Sequence, residues 1–292
     1  MGLSLPEFLI ICGSIFLIGF LFLEVINWGK IISSLGSNHD LEVTVFENTE
    51  DEDDRESLSR KHSESFESPV NIVPRQAVVI EISEPLKWNG YTVPPIAMTI
   101  LNSGETVIVQ GFWNRNLVPT ISGGPLKHTY QLESISFRWG VSDQSGSEHS
   151  IGQVNYPLEM QLLHVKKTNS WENTEEHSDD VDATIVSYLF QIKENDNPLL
   201  DPIIMNLCRI QKPNDKDYIP PFQLDTLFPL FERKFYSYSE KLNQPFGEIA
   251  TWIIYPEPLS LSASQMAELR TISKGNSRPM RTLSPQDLYY HE

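Results

Sequence analysis

Short runs of β-forming residues recur between turn signals from Pro69 to about Leu283, and this spacing constrains the fold more than any other feature. The runs are Ala77–Ile82, Thr106–Val109, Ser134–Trp139, Leu158–Val165, Ile185–Ile192 and Thr251–Tyr255. Asn89-Gly90, Gly123-Gly124-Pro125 and Pro220-Pro221 punctuate them. One helical period stands out, with Leu200, Ile203, Ile204, Leu207 and Cys208 aligned over Leu199 to Ile210. The pattern implies a mainly β (α+β) domain over 68–284, built on one mostly antiparallel sheet with a few short helices. The polar residues 285–292 are expected to form a frayed C-terminal tail.

The N-terminal part has a different character. Residues 8–23 are almost unbroken apolar, Glu24 interrupts, and Val25-Ile26-Asn27-Trp28 follow. That length suits one bilayer crossing, so residues 1–30 are expected to be a single-pass anchor with its span at about 8–28. A cleaved signal peptide is the rival reading, but no basic residue precedes the run and no small-x-small site follows it. Lys30, opposed by no base on the other flank, favours a cytoplasmic C-terminal domain. Residues 31–67 are polar and acidic: eleven acids face three bases between Asp40 and Glu67. Such a composition cannot bury enough surface to order itself, and a flexible linker is expected.

The formal charge of −17 argues against a nucleic-acid partner and suits a basic one. A second acidic cluster, Glu172 to Asp182, holds six acids and no Lys or Arg. The two cysteines, Cys12 and Cys208, cannot share one domain, so neither a disulfide framework nor a cysteine metal site is expected.

The run Ser134-Ile135-Ser136-Phe137-Arg138-Trp139-Gly140 alternates strictly. Ile135, Phe137 and Trp139 make one face apolar, while Ser134, Ser136 and Arg138 give the other the polarity of a pocket wall. This run and five others, in order, resemble the α-carbonic anhydrase family. The others are Ser68-Pro69-Val70-Asn71-Ile72, Ile121 to Leu126, Gly146-Ser147-Glu148-His149, Glu159 to His164, and Ala250 to Ile254 with Pro256-Glu257-Pro258-Leu259-Ser260 behind it. The resemblance spans about 69–283. It implies a large twisted sheet with the active site in a cone over its centre.

What that family needs for catalysis is changed here. Its zinc is held by three imidazoles, two from alternate residues of one strand and one from the next strand. The resemblance places Ser136, Arg138 and Gln161 at those positions. A hydroxyl and a neutral amide are poor zinc ligands, and a guanidinium cannot deprotonate to bind one. The hydroxyl gatekeeper position reads Asn243, in Leu242-Asn243-Gln244-Pro245, and the proton-shuttle position reads Glu105, in Asn102-Ser103-Gly104-Glu105. Glu148 matches the carboxylate that orients the gatekeeper, and Glu159 the carboxylate behind the zinc ligands. His149, His164 and Trp252 match structural positions. Arg138 is expected to take the space of the cation and to pair with Glu148 or Glu159, with Gln161 bridging.

The resemblance is closest to the catalytically inactive carbonic anhydrase-related proteins. The expectation is a membrane-tethered protein-binding module without zinc, CO2 hydration or a small-molecule substrate. Two alternatives stay open. One is an active or atypical carbonic anhydrase, or another lyase, with a non-standard metal site. The other is a purely structural domain at the membrane. A metal site built from His149 and His164 is disfavoured, because His164 has the wrong strand parity relative to Gln161.

Overall fold

The structure is a computed structural model that describes residues 70–167, 183–241, 249–277 and 288–292. The apolar run 8–28, the linker 31–67, the acidic cluster 172–182 and Asn243 lie outside the described residues. Among the described residues no helix is long and apolar enough to cross a membrane.

The strands are β1 (Asn71–Ile72), β2 (Val78–Ile80), β3 (Lys87–Asn89), β4 (Ala97–Asn102), β5 (Val107–Phe112), β6 (Thr120–Ser122) and β7 (Tyr130–Trp139). After them come β8 (Ser150–Ile151), β9 (Leu158–Lys166), β10 (Ala183–Lys193), β11 (Lys216–Ile219), β12 (Phe235–Lys241), β13 (Ile249–Ser262) and β14 (Tyr289–His291). Twelve of them form one sheet whose main path runs β11-β4-β5-β7-β9-β10-β13-β12-β14-β2, with β6 beside β7 and β3 beside β6. The mainly β expectation holds. Most pairings are antiparallel, but β10 pairs with β13, β14 with β2 and β1 with β8 in parallel.

Alternation along the central strands sorts residues to two faces. Ile135, Phe137 and Trp139 of β7 join Leu158, Met160 and Leu162 of β9 and Val186, Tyr188 and Phe190 of β10 in the main apolar core. The register puts Ser136 opposite Gln161, Arg138 opposite Glu159 and Ser187 opposite Gln161 on the other face. That second face is buried too, so polar groups there must satisfy one another. A bulge between Leu132 and Ser134 precedes it and sets which residues reach it.

Two expectations need correction, and one helix was not foreseen. The helix expected over Leu199 to Ile210 is broken into a 3-10 turn at Pro198–Leu200, the four-residue α1 (Asp201–Ile204) and a second turn at Leu207–Arg209. Pro198 and Pro202 each begin a new helical piece, where a missing N–H costs nothing. Cys208 is consequently exposed, while Leu200, Ile203 and Leu207 are buried. A real helix, α2 (Ala263–Ile272), starts at a capping box in which the Ser262 side chain accepts from Gln265 N. Finally, the 285–292 tail is not frayed where it is described. Its β14 lies between β12 and β2, with Leu288 and His291 buried.

Candidate functional site

Two glycines bring the site together. A Cβ on Gly140, directly after β7, would stand 1.6 Å from Ser145 O, and one on Gly146 would stand 2.6 Å from Gly140 N. Only with glycine at both positions can the 145–149 segment lie against the end of β7. That packing delivers Glu148 and His149 to the polar face next to Arg138 and Glu159.

Glu159 is the hub. Its Oε2 accepts from the backbone N–H groups of Glu148 and His149, both at 2.8 Å. Its Oε1 accepts from His149 Nδ1 at 2.7 Å, Gln161 Nε2 at 3.0 Å and Ser187 Oγ at 2.8 Å. Burial pushes the Glu159 carboxyl up, but His149 and Gln161 outweigh it and hold the group below the ordinary carboxylate value. Because the ionised carboxylate can only accept, Nδ1 of His149 carries the proton. Nε2 of the same ring meets Tyr238 OH at 2.7 Å. The Trp252 ring packs 4.7 Å from His149 and lies parallel to Tyr238, which fixes the imidazole from behind.

Gln161 bridges the two carboxylates as expected. Its Nε2 donates to Glu148 Oε2 and to Glu159 Oε1, each at 3.0 Å. Arg138 pairs with Glu148, not Glu159: Nε lies 3.3 Å from Oε1, with 3% and 0% of the two side chains exposed. Ser136 and Gln161, beside them on the face, are also slightly exposed, at 8% and 6%.

The remaining expected site residues fall elsewhere. Glu105 is exposed on the β4–β5 turn, where Asn276 Nδ2 donates to its carbonyl, and its side chain does not join the network. Asn243 is not among the described residues. His164 belongs to the opposite face: its Nδ1 donates to Leu162 O, and Tyr91 OH meets Nε2 at 2.5 Å. Burial lowers its pKa to about 4, so the ring stays neutral and structural. Sequence reasoning missed Ser187 and Tyr238. The first is a lone serine in an apolar strand. The second sits in Phe235-Tyr236-Ser237-Tyr238, whose aromatic/serine alternation could have marked β12.

A family profile described as eukaryotic-type carbonic anhydrase matches residues 53–286. The chain belongs to that family. The match begins inside the 31–67 segment read from sequence as linker. A Caenorhabditis elegans protein bearing the carbonic anhydrase name is 31% identical over 65% of this chain and 64% of its own length. Bovine carbonic anhydrase 3 is 31% identical over 63% of the chain and 70% of its own length. Mouse carbonic anhydrase 7 is 28% identical over 70% and 76%.

In carbonic anhydrases, the standard example of catalytic zinc, three histidine imidazoles hold the metal and a water takes the fourth position. The residues on this family member's polar face do not fit that metal. Ser136 offers a neutral hydroxyl, Gln161 has both carboxylates on its amide nitrogen, and Arg138 brings a fixed positive charge. No group of three or more His, Cys, Asp or Glu among the described residues is arranged to hold a metal ion.

Proposed function

We propose that this chain is a carbonic anhydrase-related protein that lacks the zinc ligands and does not hydrate CO2. Ser136, Arg138 and Gln161 stand in place of the three imidazoles. The observation that carries this reading is the buried ion pair of Arg138 with Glu148. A guanidinium keeps its proton at any physiological pH, so it repels a dication and cannot serve as its ligand. The carboxylates that would surround a metal instead face Arg138 and the Gln161 amide. The decisive experiment is a CO2 hydration assay on the purified full chain, with rates expected at background. The relatives carry the names of carbonic anhydrases. A rate well above background would favour the atypical-enzyme reading and sink this one.

The domain acts as a protein-binding module held at a single-pass membrane anchor, residues 8–28, with the domain on the cytoplasmic side. Its partner presents a basic surface to the acidic cluster Glu172–Asp182, and neither nucleic acid nor a small-molecule substrate is involved. The charge of −17 and the six acids of that cluster support this. The cluster lies in the β9–β10 connection, which leaves the sheet at Lys166 and re-enters at Ala183, the end of β9 away from Glu159. Neutralising the six acids should abolish partner binding and leave the fold unchanged. Cleavage of the domain by protease added outside intact cells would contradict the topology.

A further inference from the structure

Arg138 is the least satisfied polar group on the buried face. A guanidinium carries five N–H donors in a planar fork. Among the described residues none of the five is accepted in a hydrogen bond. Nε is buried without a hydrogen-bond partner, and its 3.3 Å approach to Glu148 Oε1 is an ion pair without hydrogen-bond geometry. The neighbours do not supply the missing acceptors. Glu159 already receives five donors, and Gln161 aims its amide hydrogens at the two carboxylates. Glu148 meets the fork at its Nε end, so the Nη1–Nη2 edge meets no described acceptor.

Arg138 and its neighbours Ser136 and Gln161 keep part of the residual exposure of the face. Ser136, Gln161 and Arg138 retain 8%, 6% and 3%, while Glu148, Glu159 and Ser187 retain none. Ser136 and Arg138 are alternate residues of β7, so the hydroxyl stands beside the guanidinium on one face. With 3% of Arg138 exposed, its fork is within reach of a small ion rather than a peptide side chain with its backbone.

We propose that Arg138 binds a small planar oxyanion of the carboxylate class through its Nη1–Nη2 edge, with the Ser136 hydroxyl as a further donor. Two parallel N–H groups match the two oxygens of a carboxylate, a geometry that a spherical ion cannot use. Glu148 is not displaced, because it contacts the other end of the fork. The inference rests on the reading above that no metal occupies this face.

The test uses the purified full chain, with formate and acetate as probes, chloride holding the ionic strength constant, and benzoate as an oversized control. Formate and acetate should raise the unfolding temperature saturably, with an affinity of roughly millimolar for ligands of so few atoms. Chloride and benzoate should not. Arg138→Lys keeps the charge but loses the fork, and should weaken the response about tenfold. Glu148→Gln removes the negative charge that neutralises Arg138 and repels an incoming anion, and should tighten binding, an effect that a purely structural role for Arg138 does not produce. The proposal is overturned if the unaltered chain shows no saturable response, if chloride acts equally, or if Glu148→Gln leaves the apparent affinity unchanged. Zinc is measured in the same samples. Stoichiometric zinc would sink the functional reading itself, whereas no zinc and no anion response sinks only the anion site.

Discussion

Glu159 and Arg138 face each other across β9 and β7 as register partners, yet they are treated in opposite ways. Glu159 sits in a frame of five donors, backed by His149, Tyr238 and Trp252. Arg138 has one ion pair and an orphaned Nε. The frame is a preorganised carboxylate cradle that satisfies itself completely. In the floor in front of it, the charge of Arg138 is balanced but its hydrogen bonds are not satisfied. The frame holds its carboxylate with backbone and side-chain donors, while the floor offers a hydroxyl, a neutral amide and a guanidinium. A buried carboxylate needs a cationic partner, and Arg138 takes that part for Glu148.

The largest expected effect lies in the frame. Glu159→Ala leaves five donors without an acceptor and should cost about 5 kcal/mol in urea unfolding. A loss below about 1 kcal/mol would erase the distinction between frame and floor. In the floor, Arg138→Met alone should cost about 3 kcal/mol, because Glu148 remains buried and charged. The double variant Arg138→Met/Glu148→Leu should recover all of that loss, since an apolar pair of similar volume replaces a buried ion pair at little cost. If the double variant is as unstable as the single one, the ion pair does more than balance charge.

Acid should separate the two faces of the sheet. The His164 pKa is lowered to about 4 in the folded chain, from 6.5. The unfolded chain therefore binds more protons between those values, and stability falls as pH drops through that window, by about 3 kcal/mol in total. The Glu159 carboxyl is lowered from 4.5, so its contribution is full above that value and is lost only as pH falls through the depressed one. Unfolding measured against pH should thus lose the His164 contribution first, and His164→Gln should flatten the slope between pH 6.5 and 4. The smallest effect is expected for Tyr238→Phe, about 1 kcal/mol, because it removes the hydrogen bond behind His149.

Much of this was legible in the sequence. Each of the six β-rich runs contains a strand or part of one, because β-branched and aromatic residues favour extended backbone locally. The elements that were missed depend on tertiary partners. The polar-looking β14 becomes a strand only because β12 and β2 flank it. The helical period at Leu199 to Ile210 was real, but two prolines divided it. The capping box at Ser262 and Gln265 did mark α2 and was overlooked. At the site, strand parity put Ser136 and Arg138 on one face, the family resemblance joined Gln161 to them, and parity along the Gln161 strand set His164 apart. Which carboxylate Arg138 would choose was not legible. That choice follows from the close approach of Gly140 and Gly146, which only the folded backbone displays.

The central claim is that the floor, not the frame, excludes the metal. It is tested most directly by the zinc content of two purified chains, the unaltered one and Ser136→His/Arg138→His/Gln161→His, after exposure to excess zinc and dialysis. The account predicts no stoichiometric zinc in the unaltered chain and close to one zinc per triple variant, bound by three imidazoles in front of an unchanged frame. One zinc per unaltered chain, or none in a folded triple variant, would contradict it.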